Sequence, residues 1–139
     1  MAPSLKPITI TAATTLSRNV HAGAIVNVNN TTGFAITLPA STGKGDVYTL
    51  YYVATIGSGS GTVLAAGADV FVGGVSISTD IGGVTMLAAV TTDTITMSGS
   101  TTGGVVGTWL RFTDAISGKW MLEGFLCSTG NEANPFSGS

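Results

Sequence analysis

Charge is what this chain has least of. Of its 139 residues, five are Lys or Arg and seven are Asp or Glu, 9% together, against roughly a quarter in an ordinary globular domain. The net charge is −2 and there is no basic run, so nothing neutralises a line of phosphates and a nucleic-acid partner is excluded. Histidine and cysteine occur once each, as His21 and Cys127. One cysteine makes no internal disulfide and rules out a multi-cysteine zinc site. One histidine, with no G-x-S-x-G elbow near it, leaves a Ser–His–acid triad without a context. No apolar run approaches the roughly 18 residues that cross a bilayer, and Met1–Pro7 lacks the apolar stretch of a signal peptide. The expectation is synthesis in a reducing cytoplasm, with no membrane as partner.

The acids are as isolated as they are few. Asp46, Asp69, Asp80, Asp93, Asp114, Glu123 and Glu132 stand apart in sequence, so neither a paired-carboxylate glycosidase nor a D-x-D-x-D-G calcium loop is legible. Asp80, Asp93 and Asp114 suit the simpler task of accepting hydrogen bonds from turn backbone. The glycine doublets lack the Lys-Ser/Thr and the helix of a phosphate loop. Cys127 reads as a small buried hydrophobe and His21 as an ordinary loop or strand-edge residue. The expectation is no catalysis, no metal and no cofactor.

What is present is a folding chain of β character. Hydrophobic residues make up 44%, far from a disordered composition. Short β-branched and aromatic runs alternate with Gly-, Asn- and Thr-rich turns, and no segment shows a 3.6-residue apolar period. Strands are expected at 8–11, 24–29, 34–38, 47–56, 62–66, 70–72, 75–78, 84–90, 94–98, 105–113 and 119–126. Residues 84–90 would also suit a short helix. Gly57-Ser58-Gly59-Ser60-Gly61 reads as a flexible tip. Such a pattern implies an all-β fold, an antiparallel β-sandwich or jelly-roll-like barrel. One domain is expected over 8–127, with an N-terminal arm at 1–7 and a C-terminal arm at 128–139.

Strand 47–56 presents apolar residues on both faces, which implies a central strand or one whose outer face meets a neighbour. In 47–56, Tyr48, Leu50, Tyr52, Ala54 and Ile56 share one face while Val47, Tyr51 and Val53 lie on the other. In the final hairpin, Leu110, Phe112, Trp120, Leu122 and Leu126 form a core face. Trp109, Arg111, Met121 and Glu123 lie opposite, with a diagonal Arg111–Glu123 contact. A surface with so little charge repels copies of itself weakly, so self-association is expected, with Tyr51 and Trp109 as its contact residues. The same aromatics could alternatively form a sugar-stacking platform. In the N-terminal arm Pro3 and Pro7 restrict the backbone; Pro3, Leu5, Pro7 and Ile8 are the residues expected to lie against a partner, and Ile10 could anchor with Ile8. In the C-terminal arm Pro135 and Phe136 take that part.

Three stretches resemble small tailed-phage proteins of the head decoration, or capsid cement, family. They are Phe34-Ala35-Ile36-Thr37-Leu38-Pro39-Ala40-Ser41-Thr42-Gly43-Lys44-Gly45-Asp46-Val47-Tyr48, the run from Asp93 to Leu110, and the closing stretch from Lys119 through Pro135-Phe136-Ser137. The resemblance implies a homotrimer on the capsid exterior of the virion, bound to the major capsid protein and stabilising the expanded shell. A phage tail-fibre or carbohydrate-binding β module is the alternative.

Overall fold

The computed structural model describes residues 6–79 and 82–138. Pro3, Leu5 and Asp80 lie outside the described residues. The fold is an all-β sandwich of two sheets. Its strands are β1 (Ile8–Ile10), β2 (Thr14–Thr15), β3 (Ile25–Val28), β4 (Ala35–Thr37), β5 (Val47–Tyr52), β6 (Gly61–Leu64), β7 (Val70–Thr79), β8 (Gly82–Leu87), β9 (Thr94–Met97), β10 (Trp109–Ile116), β11 (Lys119–Cys127) and β12 (Phe136–Ser137). A four-residue helix, α1 (Arg18–His21), interrupts them.

The expected strands at 70–72 and 75–78 merge into β7, and 84–90 resolves as a strand, β8. Three elements had no sequence signal: β2, β12 and α1. The first two are two-residue ladders, too short for alternation to show.

The strand directions correct the antiparallel expectation, because both sheets are mixed. One sheet runs β1-β3-β5-β10-β11-β7-β8 and the other β12-β9-β6-β4-β2. From β1 to β6 the chain changes sheet with every strand, so β1, β3 and β5 stack in parallel and so do β2, β4 and β6. This is the winding of a short solenoid. The β10–β11 hairpin then fills the slot between β5 and β7, antiparallel to β5 and parallel to β7. Hence the central strands carry apolar residues on two faces: one meets the second sheet, the other is the broad outside of a seven-stranded sheet.

The interior is the face read from the sequence. Tyr48, Leu50, Leu110, Phe112, Trp120 and Leu126 are all buried, and they meet Ile36, Leu38, Val63, Ile95 and Met97 of the second sheet. Tyr48 packs edge-on to Trp120 with ring centroids 5.5 Å apart, and Phe71 lies 5.3 Å from Phe112. Each such pair adds about 0.5–1.5 kcal/mol beyond burial.

The segment 57–61 is a solenoid corner rather than a flexible tip. Gly57 donates to the Thr31 carbonyl (2.7 Å), Gly33 to that of Ser58 (2.8 Å), and Thr32 bridges Ser58 in parallel. A Cβ on Gly33 would overlap the Ser60 backbone, so glycine here permits two coils to stack. Gly33→Ala is expected to lower stability by about 2–4 kcal/mol, the range of a severe steric change, read as a lower denaturation midpoint. A midpoint equal to the parent's would show that the corner moves freely.

Candidate interaction surface

The outside of the seven-stranded sheet is organised by its register. Tyr51 on β5 and Phe125 on β11 flank Trp109 on β10 as its two Cα partners, so the three aromatics form one row across adjacent strands. All three are half-buried. The row continues to Asn27 on β3 and Ser76 on β7. Beside it Arg111 pairs with Glu123 directly across the ladder, not diagonally, at 2.9 Å. The Arg111 guanidinium also lies 5.3 Å from the Trp109 ring centroid. Both partners of the ion pair are solvent-exposed, so it adds about 0–1 kcal/mol and serves mainly to orient the indole. Around the row, Ile25, Val53 and Met121 are exposed. The result is a surface with aromatics at its centre, the Arg111–Glu123 pair beside them and exposed Lys119 at the start of β11 on the same face.

The other residues expected to meet a partner are placed differently. Pro7 is exposed at the start of β1. Ile8 is half-buried against this chain's own core and Ile10 is inside it, so they are not free anchors; both belong to β1, which pairs with β3. Pro135 is buried, and Phe136 packs on the core as part of β12, which pairs with β9. The segment expected to be an extended C-terminal arm is therefore built into the second sheet. Its polar composition masked this, because backbone hydrogen bonds act beside its two apolar residues: the Thr96 N–H donates to the Pro135 carbonyl at 2.8 Å.

At one end of the sandwich stands a polar cluster that the sequence showed only in part. Asp114 is 2% exposed, on β10. It was expected to serve turn backbone, and it does so for a distant loop. Its Oδ1 accepts from the Ser41 hydroxyl and the Gly43 N–H, both at 2.8 Å, and its Oδ2 from the N–H of Thr42 (3.0 Å) and of Lys44 (3.4 Å). Burial alone would raise the carboxyl pKa, but these hydrogen bonds outweigh it and hold the pKa below the ordinary carboxylate value. With both oxygens engaged, Asp114 anchors a loop and offers no free base. Next to it is a cleft of about 210 Å³ lined by Arg18, Pro39, Lys44, Asp46, Tyr48 and Trp120 among others. Arg18 and Asp46 form an ion pair there at 3.0 Å.

Neither rare reactive residue is poised for chemistry. His21 is buried, and its Nδ1 accepts the Ser17 N–H at 3.0 Å, tying down the start of α1. This corrects the loop or strand-edge placement; the helix is too short to give a period. Cys127 is half-buried and burial pushes its thiol pKa up, against a smaller opposite pull from Thr108. Among the described residues no three His, Cys, Asp or Glu side chains gather to hold a metal, and no helix is long and apolar enough to cross a membrane. Comparison with family models, with curated proteins and with solved structures finds no match to this chain.

Proposed function

We propose that this protein is a virion structural module: a decoration protein that binds the outer surface of a tailed-phage capsid as a trimer and stabilises the expanded shell. The observation that carries the reading is the outer face of the seven-stranded sheet, with Tyr51, Trp109 and Phe125 in one row, the Arg111–Glu123 pair beside it and Lys119 at the strand end. Such a face has the composition of an interface core, depleted of charge and enriched in aromatics. The three stretches that resemble capsid cement proteins support a phage shell as the assembly. The mechanism needs no chemistry. A module that binds the assembled shell and not its loosened form raises the shell's apparent stability by mass action.

The aromatic row also favours a second reading, a fibre or carbohydrate-binding module in which Trp109 and Tyr51 contact sugar rings. Copy number separates the two. Densitometry of purified virions should give an abundance comparable to that of the major shell protein. A few dozen copies per particle would favour the fibre, and complete absence would remove both. Emptied, expanded heads should in turn withstand higher temperature with the protein than without it.

A further inference from the structure

The sandwich has four edges, and three are blunted in the ways natural sheets avoid pairing with other chains. β2 and β12 are two residues long, with Pro135 just before β12; β1 is three residues long and follows Pro7. β8 is different. It has six residues, Gly82-Gly83-Val84-Thr85-Met86-Leu87, with neither charge nor proline, and all but Met86 are exposed. Leu87 is 76% exposed and Val84 46%. The uncharged tract runs on to Thr92.

The register shows what fits this edge. Ala88 donates to the Gly73 carbonyl, and β8 pairs antiparallel with β7. The alternation of an antiparallel ladder then turns the N–H and C=O of Met86 and Val84 toward β7 and those of Gly83, Thr85 and Leu87 away from it. We propose that β8 pairs with β8 of a second copy, antiparallel, about a two-fold axis through Thr85. In that register Gly83 faces Leu87, Thr85 faces its own counterpart, and Leu87 faces Gly83. All six outward backbone groups of each strand meet partners. The most exposed side chain of the strand comes to lie over a residue with no side chain, and no like charges are opposed. A shift by one residue would set inward-turned groups against outward-turned ones. The contact is isologous, as two-fold interfaces are. It is smaller than the roughly 1,200–2,000 Å² of a stable complex, so it operates where copies are held close together and is weak in dilute solution. It requires no shell, and its test is independent of the virion reading.

The test is cross-linking of the full chain in a Cys127→Ser background. Thr85 and its counterpart form a hydrogen-bonded pair with Cα atoms about 5.5 Å apart, inside the roughly 4.4–6.8 Å span of a disulfide. Under mild oxidation Thr85→Cys should give covalent dimer at least tenfold faster than Ala13→Cys, an exposed control just after β1, the opposite edge of the same sheet. Adding Leu87→Lys should bring the rate down to that of the control. Should Thr85→Cys be unfolded, Leu87→Lys added to a Tyr51→Lys chain, whose outer-face contact is broken, should still abolish the remaining concentration-dependent growth in sedimentation coefficient. Cross-linking no faster than the control, or growth unaffected by Leu87→Lys, would overturn the two-copy assignment and leave the edge to another chain.

Discussion

Asp114→Ala is expected to lower the stability of the fold by about 3 kcal/mol or more, the largest loss from any single polar side chain. The carboxylate holds Ser41, Thr42, Gly43 and Lys44 together, and hydrogen bonds to a charged group are worth about 1.5–3 kcal/mol each, though not additively. Removing it frees the N–H groups of Thr42, Gly43 and Lys44 on an exposed loop and leaves the Ser41 hydroxyl only the Ile116 and Lys119 carbonyls. Asp114→Asn keeps one acceptor oxygen and should cost less, about 1–3 kcal/mol. Against a typical total of about 5–15 kcal/mol, the alanine variant should show a clear fall in the urea midpoint. Glu123→Ala, which breaks an exposed pair, should stay within about 1 kcal/mol of the parent. If Asp114→Ala unfolded at the parent's midpoint, the loop would be held by something other than this carboxylate.

The same group sets an acid dependence with a definite sign. Its folded pKa lies below the ordinary value of 3.8. The stabilisation is therefore fully present well above that value and is lost as pH falls through it toward the folded pKa. Melting temperature should drop as the parent is taken below about pH 5, and the drop should be shallower in Asp114→Asn, which has no proton to bind there.

Trp109→Asp and Tyr51→Lys are expected to convert the proposed trimer to monomer without unfolding it. Both side chains lie outside the core, on the face away from the second sheet. A charge placed there would be buried unpaired at a subunit contact, a penalty of several kcal/mol, yet tolerated by a solvated monomer. Native mass and sedimentation should shift to one chain while the far-ultraviolet spectrum is unchanged. If folded variants stay trimeric, the outer face is not the trimer contact and the aromatic row must serve something else. Binding to expanded heads should fall with trimerisation, because three linked contacts act at high effective concentration and one does not.

Several parts of this molecule were legible from pattern alone. Alternation in 47–56 and in the final hairpin named the core face, since strand side chains alternate strictly and one face must be dry. It also put Trp109, Arg111, Met121 and Glu123 outside. Local chemistry was sufficient for these because each depends on a few adjacent residues.

Only the tertiary structure decided the rest, and for one physical reason: the deciding contacts are remote in sequence. Parallel stacking of Ile8 over Val26 over Leu50 has unequal spacing and so leaves no repeat to read. The Gly-Ser segment became a corner because Thr31 and Gly33 lie beside it, and Asp114 became an anchor because the loop at Ser41 reaches it. Phe125 joined the aromatic row through cross-strand register, and β8 became an unguarded edge because strand order left it last. Sequence determined which face of each strand is apolar; the order and direction of the strands determined which of those faces and edges remain open.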